Sequence, residues 1–177
     1  MRALPAALLG TFIGLTGCAA SAPTLPIVDQ VDLPRFMGDW YVIANIPTSI
    51  EKEAYNAVES YAMSEPGRIE TTFRFNKGSA DGKQKVYSPT GFVGEHPSNA
   101  IWGMRFIWPI KAEYLITRLN DDYTQTIIGR SKRDYVWIMA RQPAISDSDY
   151  ADHVEYLKQV GYDTDKLRKV PQQWADL

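Results

Sequence analysis

The sequence predicts an all-β protein: an eight-stranded antiparallel up-and-down barrel with one C-terminal α-helix packed against its outside. Three observations carry this. Short alternating apolar runs recur from residue 40 to residue 141, each bounded by turn residues. Nothing between them is long enough to be the helix of a parallel crossover. Eleven prolines and twelve glycines are spread along 177 residues, as a chain of many turns requires. A meander of eight strands exposes two edges, and closing it on itself removes both.

Residues 1–17, MRALPAALLGTFIGLTG, carry one charge, Arg2, followed by an uncharged apolar run. The run is shorter than the roughly 20 apolar residues a spanning helix needs. It is read as a secretory signal peptide. Its end, LTGC at 15–18, resembles the lipobox of bacterial lipoproteins, in which the cysteine is lipidated and becomes the mature N-terminus. Ala19, rather than aspartate, resembles the pattern sorted to the outer membrane, which implies a lipid anchor on its periplasmic face. Cys18 is the only cysteine, so no intrachain disulfide forms and no thiol chemistry operates inside a barrel. Residues 18–30 are expected to be a lipidated N-terminus and tether, and 31–177 the folded domain.

The predicted strands are 40–46, 55–63, 69–75, 85–93, 100–107, 112–119, 124–130 and 135–141. Pro89 and Gly91 mark the fourth as bulged or at an edge. A helix follows: Ser146 is the N-cap, Asp149 stands at N3, and Ile145 can staple onto Tyr150. Tyr150, Val154 and Leu157 form its apolar stripe, and Gly161 stops it. Residues 167–174 add a short final strand.

Hydrophobic residues at 45%, charged residues at 23% and a net charge of −2 describe an ordinary globular chain. The balance gives no drive toward nucleic acid, whose binders carry basic stripes. The two histidines, His96 in a loop and His153 on the helix surface, have no metal-ligand spacing. No nucleophile elbow, phosphate loop or dinucleotide fingerprint is present, and no cofactor is implied.

Three motifs resemble the lipocalin family, and within it the bacterial outer-membrane lipoprotein lipocalins related to apolipoprotein D. GDW at 38–40 resembles the G-x-W of the family's first strand, with Gly38 and Trp40 in the matching places. NDDY at 120–123, with Asp122 and Tyr123, resembles its T-D-Y loop, although the threonine is replaced. Arg141 resembles the basic residue of the last strand that packs across the tryptophan. The resemblance covers roughly residues 31–174. It implies a lipocalin barrel closed at the Trp40 end and open at the other, with a lipid ligand such as a fatty acid or lysophospholipid.

Alternation from Trp40 turns Val42 and Ala44 inward, and alternation from Arg141 turns Tyr135, Trp137 and Met139 inward. Glu59 and Tyr61 follow on the second strand beside Ala57. The family's register adds Trp102, Met104 and Phe106 on the fifth strand, and Tyr114 and Ile116 on the sixth. Such a lining suits an elongated apolar ligand, or else fills a packed core. Glu59 is the odd member: either its register is off by one and it is solvated, or it meets a polar ligand group. Loops 47–54, 76–84, 108–111 and 131–134 should form the open rim. Trp108 there is an entry point facing a membrane or a partner, and allows a homodimer through the barrel mouths. Arg130, Lys132 and Arg133 either meet a phosphate head group or belong to a solvated turn. The leading reading is a binding protein; an enzyme using Glu59 with Tyr61 or Tyr114, and a scaffold with a filled barrel, are the alternatives.

Overall fold

The computed structural model describes residues 24–174. The predicted leader and the lipidation site at Cys18 lie outside the described residues. Ten strands form one sheet: β1 Gly38–Ile46, β2 Ala54–Glu65, β3 Arg68–Lys77, β4 Gln84–Tyr87, β5 Thr90–Val93, β6 Ile101–Ile107, β7 Ile110–Leu119, β8 Gln125–Gly129, β9 Val136–Ala140 and β10 Arg168–Lys169. Successive strands pair antiparallel, and β1 pairs with both β2 and β9, so the sheet closes. The predicted fourth strand is two pieces. β4 pairs with Phe73–Asn76 of β3, and β5 pairs with Arg68–Glu70 of β3 and with β6. Pro89 lies between them and has no amide hydrogen to give a ladder. Counting β4 and β5 as one position, the barrel has eight strands. The predicted final strand is reduced to β10, two residues beside Ala44 and Asn45 of β1.

The wall separates two apolar layers. Inside, Trp40, Val42, Ala57, Tyr61, Trp102, Met104, Tyr114, Ile116 and Met139 pack together. Outside, Ile43, Leu115, Val136, Ile138 and Ala140 pack with Leu157 of the helix α2, Asp147–Gln159. Ala44, predicted to face inward, belongs to the outer layer. Val42 stands opposite Met139 but Ala44 stands opposite Ile138, so β1 carries one extra residue there. Such a bulge flips every later side chain to the other face. It delivers Asn45, opposite Trp137, to the interior.

Ser146 caps α2 as predicted, accepting from Asp149 N at 3.0 Å, and Gly161 ends it with φ of +90°. The buried face is rotated from the predicted stripe. His153 and Leu157 are its buried residues, with Tyr150, Tyr156 and Val160 against the same layer. Val154 is only half-buried. His153 is therefore not a surface residue; its Nε2 meets Gln125 Oε1 at 2.7 Å.

The chain before β1 is not all tether. Leu25 and Val31 are buried, Val28 N donates to Ile116 O at 3.0 Å and Val31 N to Ser98 O at 2.8 Å. A short helix, α1 Leu33–Phe36, then crosses under the barrel, capped by Asp32. Sequence reading misses α1 because four residues carry no periodicity.

Arg141 binds this floor together. Its guanidinium carbon lies 3.9 Å from the Trp40 ring centroid. Nη2 donates to the carbonyls of Arg35, Phe36 and Met37 at 2.8–3.1 Å; these are the carbonyls that the end of a helix leaves unpaired. Nη1 donates to Asp39 O at 2.8 Å and Nε to Tyr123 O at 3.3 Å. Trp40 Nε1 donates to Phe36 O at 2.8 Å. Gly38 sits at φ of +94°, and a Cβ there would stand 3.3 Å from Arg141 Nη1, so the turn and the close approach both require glycine. In the NDDY turn Asn120 Oδ1 accepts from Thr124 N and Gln125 N, and Tyr123 Oη accepts from Asp32 N. Asp122 is exposed at its tip.

Replacing Arg141 with alanine removes the cation–π contact and strands several carbonyls, a loss of about 3 kcal/mol or more. Urea unfolding should show it as a lower midpoint. A change under about 1 kcal/mol, the size of one ordinary hydrogen bond, would contradict the role given to Arg141.

Candidate functional site

Above the Trp40 floor the barrel is not full. A cavity of about 210 Å³ opens toward the loops at the far end. Ligand pockets typically measure about 300–1,000 Å³, so this cup fits a narrow ligand or one end of a long one. Its wall is apolar and aromatic, with Phe73, Met104, Tyr114, Tyr135 and Trp137 among the lining residues.

Of the nine side chains predicted to line it, six do: Glu59, Met104, Phe106, Tyr114, Tyr135 and Trp137. Tyr61, Trp102 and Ile116 face inward but lie in the packed interior with Phe36 and Trp40. Trp102 is pinned there by Nε1 donating to Asn99 O at 2.7 Å, and its ring stacks on Tyr114 at 5.6 Å. Phe106 stands at the mouth and is 52% exposed. The β6–β7 register shifts between Met104 and Ile107, which ends the strict alternation that would have buried it.

Glu59 faces inward. It stands opposite Trp40 on β1 and Phe73 on β3 and is 8% exposed. Tyr61 Oη and Tyr114 Oη (3.3 Å) both donate to its Oε2, and the two hydroxyls meet each other. Burial is the main cause that pushes Glu59 up to about 7, with the nearby Glu51 charge adding to it. Both tyrosine hydroxyls are held well above the usual phenol range, first by burial and then by the Glu59 charge. They remain donors.

Glu51 is the residue the sequence did not mark. It lies in the loop predicted to form part of the open rim, yet it is 2% exposed and lines the cup. Oε1 accepts from Thr48 N at 3.0 Å and Thr48 Oγ1 at 2.7 Å. Oε2 accepts from Asn45 Nδ2 at 3.1 Å and Trp137 Nε1 at 3.0 Å. The only forewarning was its place among the polar residues TSIEKE. The bulge that turns Asn45 inward, invisible in the sequence, is what gives Glu51 an interior partner.

The predicted rim separates into two parts. Arg130 lines the mouth, pairs with Asp134 at 3.3 Å, and has a buried Nε with no hydrogen-bond partner among the described residues. Lys132 is exposed in the same turn. Arg133 is not at the mouth: its Nε donates to Val160 O at 2.6 Å, where a cation suits the C-terminus of α2. Across the mouth, Phe106, Ile107, Trp108 and Ile110 are 52%, 72%, 78% and 69% exposed. Among the described residues no cluster of three metal-ligating side chains occurs.

Residues 31–172 match the model of a family described as lipocalin-like domain. The outer membrane lipoprotein Blc of Citrobacter freundii is 29% identical, across 99% of this chain and 100% of the relative. Apolipoprotein D of Bos taurus is 27% identical, across 86% of this chain and 85% of its own. Among solved structures, insecticyanin from the tobacco hornworm Manduca sexta superposes with a TM-score of 0.66 at 14% identity, covering 88% of this chain and 87% of that one.

The Glu59 shift has a consequence for stability. An acid raised from 4.5 to about 7 holds its proton more tightly when folded. Between those values Glu59 holds more protons in the folded than in the unfolded state, so its own contribution to stability falls as pH rises and is constant on either side. The loss is about 3 kcal/mol at most. Burial lowers the His153 pKa and works in the opposite direction in this window, so the comparison is with the variant: in urea unfolding, the stability of the native protein relative to Glu59→Gln should fall as pH rises. Equal slopes would place the titration elsewhere.

Proposed function

The chain belongs to the lipocalin family, and on that premise we propose that it is an outer-membrane-anchored binding protein that holds a single-chain amphiphile, a fatty acid or lysophospholipid, in the cup. The observation that carries this is the cup itself. It is apolar in its walls, sealed below by Trp40 and Arg141, and open beside exposed aromatic and aliphatic side chains. Apolar burial supplies the affinity. At the mouth, Arg130, which shares its charge with Asp134, and the exposed Lys132 suit a carboxylate or phosphate group. The relatives named outer membrane lipoprotein Blc support an outer-membrane location, and a role in envelope lipid handling belongs to the same proposal. On this reading the ligand-contacting residues are Glu59, Met104, Phe106, Tyr114, Tyr135 and Trp137.

The route of the N-terminal segment supports an anchor beside the mouth. Leu25 packs at Gly129, the rim end of β8. Five residues lie between Cys18 and Thr24, and six Cα-to-Cα steps span at most about 20 Å. A lipid on Cys18 therefore holds the bilayer near the open end, where Ile107, Trp108 and Ile110 project. The apolar tail of a ligand passes from bilayer to cup without crossing open water. An enzyme on the same barrel would use Glu59 with Tyr61 or Tyr114, but the sealed floor and the apolar cup favour holding a ligand over transforming one.

Native mass spectrometry of protein purified from its own envelope should find one co-purifying lipid, and added lysophospholipid should quench Trp137 fluorescence. An empty protein that also fails to quench would overturn the carrier function. For the anchor, Cys18→Ala should release the protein from the membrane fraction; retention would contradict lipidation at Cys18.

A further inference from the structure

The cup holds more negative charge than positive. Glu51, Glu59 and Glu113 line it against one cation, Arg130, and Arg130 already pairs with Asp134. Glu113 is occupied at the rim, accepting from Ser131 N at 2.6 Å and Ser131 Oγ at 2.8 Å. The two deeper carboxylates, Glu51 and Glu59, hydrogen-bond to neutral groups: Asn45, Thr48 and Trp137 on one, Tyr61 and Tyr114 on the other. Two buried acids facing one cavity without a facing cation are costly, and the Glu51 charge disfavours that of Glu59. A proton on Glu59 relieves the conflict in the empty cup. A cationic ligand would relieve it in the filled one.

The aromatic rings sit where they would receive that cation. Trp137 donates to Glu51 and Tyr114 donates to Glu59, and these two rings stack on each other at 6.4 Å and 24°. Tyr135 lies 6.4 Å from Trp137. Trp137 and Tyr114 therefore each carry a carboxylate on their polar edge, and with Tyr135 they line the cavity. Aromatic rings lining a site attract ammonium ions, with quaternary ammonium the best-known case.

We propose that the cup selects amphiphiles bearing an ammonium group, which enter head first and place the cation between Glu51 and Glu59 against Trp137 and Tyr114. The selection rests on the carrier function proposed above and narrows its ligand class. A fatty acid enters the same cup tail first and leaves its carboxylate at Arg130; an alkylammonium ion is drawn to the floor.

Calorimetric titration of the purified mature protein with octylammonium, octyltrimethylammonium, octanol and octanoate separates the two ideas. At a pH of about 8, above the Glu59 midpoint of about 7, both ammonium ions should bind about tenfold or more tightly than octanol. In Glu59→Gln, with folding confirmed by near-ultraviolet circular dichroism, that preference should fall to about threefold or less. Octanol or octanoate binding as tightly as the ammonium ions overturns the ammonium site while leaving the carrier function standing. An undiminished preference in folded Glu59→Gln also overturns it. Binding of none of the four overturns the carrier function itself.

Discussion

One arginine decides which end of this barrel is a floor. Arg141 lies flat on Trp40 and gives all three of its nitrogens to backbone carbonyls, four of them from the segment that passes beneath the barrel. Those carbonyls belong to the end of α1 and the start of β1, where a helix stop would otherwise leave them bare. The same contact joins the last barrel strand to the first, and ties both to the NDDY turn through Tyr123. A planar guanidinium is suited to this because its donors form a rigid fork and it stacks on a ring at once. Everything above inherits the seal: water is kept from one end, and the cavity opens toward the other.

That seal explains why the cup can hold a carboxyl group at its base. A carboxylate exposed to bulk water would have no reason to titrate near neutrality. Glu59 does so because Trp40, Phe73 and the interior layer keep water from it, with the Glu51 charge adding to the effect of burial. The tyrosine hydroxyls soften the cost without removing it. On the ammonium proposal, affinity and selectivity come from different parts of the cup. The walls gain from excluding water regardless of the ligand's charge, whereas the proposed site at the floor would distinguish ligands by the charge they bring.

The sequence made the barrel legible because its strands alternate and its turns announce themselves, and because Trp40 and Arg141 are large residues with few other places to go. Its errors share one cause: period-2 alternation assumes an unbroken register. The bulge between Val42 and Ala44 turned Ala44 outward and Asn45 inward, and the shift past Met104 left Phe106 at the mouth. Glu51 was hidden for a related reason. Its burial follows from Asn45, Thr48 and Trp137 converging on it, and such long-range convergence has no local signature. Arg133 and His153 looked like surface residues until α2 was seen to pack beside them. The helix α1 and the packed strand-like segment before it were too short or too irregular to carry a pattern.

The sealed floor and the carboxyl group above it stand or fall together, so the titration of Glu59 reports on both. A ¹³C NMR titration of its side-chain carboxyl, assigned by comparison with Glu59→Gln, measures it directly. The account predicts a midpoint at about 7, well above the ordinary 4.5. A midpoint near 4.5 would mean that water reaches Glu59, and the closed end built on Arg141 and Trp40 would not be closed.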